Sequence, residues 1–113
     1  MESMLKRIAP VWFLALIFSV VVLFSALSSA QDSGAATFKS KCVLCHGADG
    51  TGNTPLGKQL QAANLRSKDV QKKTNAELHA IIHDGKTNMP PFGDQLSEAE
   101  IDGVIKYVRT LAK

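Results

Sequence analysis

Apolar residues recur at helical spacing in three stretches of this chain, and after residue 31 no β-branched run alternates with the period of a strand. The clearest stretch is the last: Ile101, Val104, Ile105, Val108 and Leu111 form one continuous stripe. Ahead of it Ser97-Glu98-Ala99-Glu100 reads as a capping box, and Leu96 is placed to staple onto Ile101 across it. A second box, Thr74-Asn75-Ala76-Glu77, opens a helix that carries Leu78, Ile81 and Ile82 and stops at Gly85. A first helix begins near Asp32 or Ser33, carries Ala35, Ala36 and Phe38, and delivers Cys42 at its end. Between Gly47 and Val70 the periodicity fades: Gly47, Gly50, Gly52, Asn53 and Pro55 mark a loop, and Leu56 to Leu65 has room for a short helix. The pattern predicts an all-α domain without internal repeats.

One further apolar run is of another kind. Lys6 and Arg7 precede an uncharged stretch from Val11 to Leu27, followed by Ser28-Ser29-Ala30 and then polar Gln31-Asp32. A basic start, an apolar middle and small residues before a cut make the pattern of a secretory signal peptide over residues 1–30, leaving a domain over residues 31–113. An uncleaved membrane anchor is the competing reading, since the 17 residues from Val11 to Leu27 reach the lower edge of what spans a bilayer. A lipid anchor is not expected, because no cysteine stands near the cut. Either way the domain is expected to be periplasmic or otherwise exported, touching a membrane only if the leader is retained.

Removing the leader changes the composition. Of the first 30 residues 21 are apolar, against 30 of the remaining 83, and those 83 hold three aromatics, Phe38, Phe92 and Tyr107. So small a domain buries too little apolar surface to fold comfortably without a staple such as a disulfide or a metal. Something besides side chains is expected to fill the core. The formal charge of +3 is spread singly or in pairs without aromatic interleaving, which argues against nucleic-acid binding.

The two cysteines stand together in Cys42-Val43-Leu44-Cys45-His46. A thioredoxin-like dithiol would need a strand-to-helix turn, which the pattern does not supply. A zinc site made with His79 and His83 would need a gap well beyond the usual finger spacing and would leave His46 without a role. The third reading is C-x-x-C-H, the attachment signal of c-type haem. One helical turn places two sulfurs where they can add to the two vinyl groups of one porphyrin, and the next residue offers an imidazole to the iron. For the opposite face of the iron the domain offers one methionine, Met89, in the loop Gly85-Lys86-Thr87-Asn88-Met89-Pro90-Pro91-Phe92. A lone Met is usually core filling. Here it lies in a loop stiffened by Pro90-Pro91, and axial Met opposite axial His raises the potential of cytochromes c. His79 and His83 fall away from the apolar face of their helix and read as solvent-facing. Pro55 is a candidate to offer its carbonyl to the second ring nitrogen of His46, or else a plain turn proline.

These residues resemble the class I c-type cytochromes over nearly the whole of the domain. Cys42, Cys45 and His46 match the attachment motif, Gly47 the glycine that commonly follows it, and Met89-Pro90 the loop of the axial Met. Gly34, Phe38 and Cys42, spaced four apart, look like the family's first helix, where a glycine lets the terminal helices cross and an aromatic meets a tyrosine of the last helix, here Tyr107. The resemblance implies a cytochrome c-like fold of crossing terminal helices with short helices and loops around one haem. It also implies covalent haem c with cofactor-binding residues Cys42, Cys45, His46 and Met89 and iron ligands His46 and Met89. The implied role is electron transfer, not enzyme catalysis, with iron alternating between Fe(II) and Fe(III) while both axial ligands stay. The implied partners are a reductase and an oxidase, met by a monomer. Lys39, Lys58, Lys72, Lys73 and Lys86 could steer docking to an acidic partner, but at so low a net charge they read as ordinary solvated residues. Two other roles stay open: a catalytic or gas-sensing haem protein with a labile Met, and a membrane-tethered donor or subunit of an oxidase.

Overall fold

A computed structural model describes residues 14–18 and 33–112. The chain divides into two units, Met1–Ala30 and Gln31–Lys113. In the first, residues 14–18 are helical and exposed. The rest of the leader expected over residues 1–30 lies outside the described residues, and among those described no helix is long and apolar enough to cross a membrane.

The second unit is built of helices α1 (residues 33–41), α2 (Val43–His46), α3 (Pro55–Leu60), α4 (Lys68–Gln71), α5 (Asn75–Asp84) and α6 (Glu98–Thr110). No strand occurs among the described residues. Both expected capping boxes form. Thr74 Oγ1 accepts from the Glu77 amide at 3.1 Å while the Thr74 amide donates to Glu77 at 2.7 Å. Ser97 and Glu100 repeat the exchange at 3.2 and 2.7 Å. Each box satisfies amides that a helix start leaves without partners. α5 stops at Gly85, as its position predicts, where φ is 76°.

The crossing of α1 and α6 is made possible by an absent side chain. A Cβ on Gly34 would overlap the carbonyl of Gly103, so the two backbones touch there. One turn further along, Phe38 packs on Tyr107, with Val104 and Val108 completing the cluster. Leu78, Leu96, Ile101, Ile105 and Val70 form a second cluster, which includes the expected staple of Leu96 with Ile101.

α4 was not expected. Four residues are too few to display a period, and its one buried apolar side chain is Val70. It is fixed from outside. Gln71 Nε2 donates to the carbonyls of Leu65 at 2.7 Å and Val108 at 3.1 Å. The Arg109 fork reaches the same segment, donating to the carbonyls of Gln71 and Lys73 and to Asn75 Oδ1. Guanidinium geometry suits such a multi-toothed contact, and it pins the 71–75 turn to α6.

The interior has a hollow centre. Among the described residues eight apolar side chains are buried, and six of them, Phe38, Val70, Leu78, Val104, Ile105 and Val108, line a cavity of about 660 Å³. Side chains alone do not fill this core.

Candidate functional site

Cys42 follows α1 as a turn residue and caps α2, the single helical turn that carries Cys45 and His46. α2 is braced by the start of α3. Thr54 Oγ1 accepts from the Gly57 amide at 2.8 Å and lies 2.8 and 3.1 Å from the carbonyls of Leu44 and Cys45, which share its one proton. A Cβ on Gly57 would overlap the Cys45 carbonyl, so α3 seats directly on the motif.

His46 is buried at 9% exposure, and its Nδ1 donates to the Ala63 carbonyl at 3.0 Å. That bond fixes the tautomer and leaves the Nε2 lone pair available to a metal. The acceptor is therefore Ala63 and not Pro55, which instead opens α3 as its first residue, a place where its missing N–H costs nothing. No disulfide joins the two cysteines. Burial, with a contribution from Cys45, pushes the Cys42 thiol up to about 11. A reactive thiol needs the opposite shift, toward thiolate, so Cys42 is not placed as a redox nucleophile.

Met89 arrives from the other wall on a turn closed by paired backbone bonds with Lys86, at 3.1 and 2.9 Å. Met89, His46, Cys42 and Cys45 all line the one cavity. Its walls are mostly aliphatic and aromatic, with lysines at positions 41, 73 and 86, so it suits a flat apolar group bearing acidic substituents. The donor set fits haem: one imidazole nitrogen, one thioether and two thiols around an apolar hollow.

Comparison with known proteins decides the family. Residues 29–108 match the family model described as cytochrome c oxidase, cbb3-type, subunit III. The chain is 33% identical over 115 residues to cytochrome c6 of Rippkaea orientalis (strain PCC 8801 / RF-1), covering 96% of each. It belongs to the class I c-type cytochromes. Among solved structures, the KustC0563 c-type cytochrome superposes with a TM-score of 0.66 at 29% identity, over 71% of this chain and 98% of that one. The chain is also 30% identical over 89 residues to the cbb3-type cytochrome c oxidase subunit FixP of Sinorhizobium medicae (strain WSM419), spanning 31% of that protein. As a c-type cytochrome of this class, the protein has the all-α cytochrome c fold, carries one covalently attached haem c with its iron, and works in electron transfer.

The rival histidines stand apart from this cytochrome's cavity. His79 Nε2 pairs with Glu98 at 2.7 Å and His83 Nδ1 with Asp84 at 2.7 Å. Their rings stack with centroids 5.9 Å apart. They bridge α5 to α6 and are half-buried rather than simply solvent-facing. Sequence reasoning missed Gly57, Ala63 and Asn88. Asn88 Nδ2 donates to the Leu60 carbonyl at 3.0 Å across the site. Nothing local marks Ala63, since any residue can present a carbonyl.

Proposed function

We propose that this cytochrome is an exported electron carrier and not an enzyme, with Cys42 and Cys45 as the attachment sulfurs and His46 and Met89 as the axial ligands. The observation that carries the reading is the convergence of those four residues, from two separate segments, on one apolar cavity. Haem c held there supplies the one-electron Fe(II)/Fe(III) couple. His46 is held in one orientation by Ala63, and Met89 by its closed turn, so neither ligand needs to move when charge changes. Aliphatic walls exclude water from the centre. Small rearrangement of ligands and solvent is what fast electron exchange requires. Leu44 lines the cavity yet is 72% exposed, so the site reaches the surface beside the attachment turn, where a redox partner can approach. The partners are redox proteins, a reductase and an oxidase, met by a monomer.

In this reading residues 1–30 are a signal peptide that directs residues 31–113 to the periplasm or another exported compartment. A second reading is favoured by the likeness to FixP and to subunit III of cbb3-type oxidases: a tethered donor or subunit of an oxidase, with the leader kept as an anchor. The mature N-terminus, read by mass spectrometry of exported protein, separates the two. A start near Gln31 supports the free carrier, and a retained Val11–Leu27 run supports the tether. Visible spectra of reduced and oxidised protein test the ligation, with haem staining of a denaturing gel. Pigment that stays with the chain and a reduced spectrum unmoved by carbon monoxide support the carrier. A colourless chain overturns it, and prompt binding of carbon monoxide favours a gas-binding haem.

A further inference from the structure

The loop that carries Met89 is held at two levels. At its base the amides of Phe92 and Gly93 donate to the carbonyls of Ile82 and His83 at 2.9 and 3.0 Å, which hangs the returning chain on the end of α5. At its tip Lys86 and Met89 close a tight turn whose middle residues are Thr87 and Asn88. Thr87 holds a φ of 52°, a left-handed conformation that a β-branched residue adopts only under constraint. The closed turn imposes it, since a two-residue turn of this kind has φ > 0 at its first middle residue, and the next side chain ties that turn down. Asn88 Nδ2 donates at 3.0 Å to the carbonyl of Leu60, 28 positions earlier in sequence. Leu60 ends α3, where carbonyls have no partner within their own helix, so the bond satisfies an otherwise orphaned acceptor. Leu60, Asn88 and Met89 all line the cavity. The bond thus ties the Met89 turn to the helix that braces the attachment motif.

We propose that Asn88 is a positioning residue for the sixth ligand, a latch that holds the Met89 turn closed against α3. The inference rests on Met89 being that ligand. A methionine side chain has three rotatable bonds and does little to fix its own sulfur, so the backbone beneath it must be held. With its base fixed to α5, the loop can release its ligand by swinging the tip outward. That motion exchanges the Asn88–Leu60 hydrogen bond for one to water. The latch therefore acts on the balance between closed and open turn, and on the rate at which Met89 leaves. Asp at position 88 keeps the shape but sets a carboxylate against the Leu60 carbonyl oxygen, so it should favour the open turn more than Ala does.

The test uses the haem-loaded, full-length protein in its ferric form, with imidazole as the competing ligand. At saturating imidazole the observed rate reports the step in which Met89 leaves. Asn88→Ala is expected to raise that rate about two- to tenfold, the span of one net intramolecular hydrogen bond, and Asn88→Asp at least as much. The urea midpoint should fall by no more than that one bond accounts for. Unchanged rates in both variants overturn the latch, as does a loss of global stability well beyond the change in rate. Met89→Ala serves as the reference. If it binds imidazole no faster than the parent, Met89 is not the ligand and the underlying reading fails; if it binds at once while both Asn88 variants behave as the parent, the latch alone fails.

Discussion

The ring of Phe38 lies 5.0 Å from that of Tyr107, the planes tilted by 49°, where α1 crosses α6. Tilted rings at this separation place the edge of one toward the face of the other, a contact worth more than the area it buries. Phe38 is also 1% exposed and lines the cavity, so it carries both the helix crossing and one wall of the site. Phe38→Ala is expected to lower stability by about 3–5 kcal/mol, and Phe38→Leu, which keeps most of the volume, by much less. Urea unfolding of the haem-loaded protein, followed by far-UV circular dichroism, measures both. Equal midpoints for Ala and the parent would show that the crossing does not depend on this ring.

Met89 and the histidine pair make opposite predictions about the iron. Met89→Ala should leave haem attached, because both sulfurs remain, but should open one face of the iron to added imidazole or carbon monoxide. His79→Ala and His83→Ala should leave the spectrum unchanged, since both side chains are engaged with Glu98 and Asp84 and neither lines the cavity. A closed, low-spin Met89→Ala protein would transfer the sixth position to another residue.

Stability should fall off on both sides of neutrality for different reasons. The backbone and hydroxyl of Thr74 hold the Glu77 carboxyl below its ordinary value. A group depressed in the folded state contributes stability above its unfolded value and loses it as pH falls through the folded one. The hydrogen bond that His83 Nδ1 donates to the Asp84 carboxylate, helped by the charges of Asp84, Glu98 and Asp94, holds His83 above its ordinary value. That contribution is complete below the unfolded imidazole value and is lost as pH rises through the folded one. Glu77→Gln should therefore flatten the acid limb of a urea-midpoint profile, and His83→Gln the limb near neutrality. Glu77 is exposed and His83 only half-buried, so the changes should be small and should shrink further in high salt.

How much of this was legible depended on how local the cause was. Thr74 and Ser97 announced their helices because a cap needs residue types at fixed spacing within one turn. The motif at Cys42–His46 is legible for the same reason. Gly103 reads along the sequence as a weak point in α6; its meaning appears only when Gly34 is seen against it. The Arg109 fork binds carbonyls 36 and 38 positions away, which no local pattern encodes. Pro55 stands in the sequence as a candidate partner of His46 or a plain turn proline, and the acceptor is instead fixed at Ala63 by where the chain after α3 returns. α4 escaped notice because four residues bury one side chain and show no period.

The last prediction concerns the core itself. Six of the eight buried apolar side chains among the described residues border the cavity, alongside the partly buried Leu56, Leu60, Leu65, Ile81, Ile82 and Phe92. The six are already covered by protein, so water in that space would wet the partly buried ones, at a cost of roughly 25 cal/mol for each Å². A domain with three aromatics and no disulfide has little reserve against such a loss. Replacing both Cys42 and Cys45 with Ser should therefore do more than abolish covalent haem: the polypeptide should become largely unstructured, with reduced helical circular dichroism and rapid proteolysis. Cys45→Ser alone, which keeps one thioether, should retain pigment on a denaturing gel and fall between the parent and the double variant in stability. A double variant that is colourless yet keeps the parent's helix content and a cooperative urea transition would show that α1, α5 and α6 support one another without the cofactor.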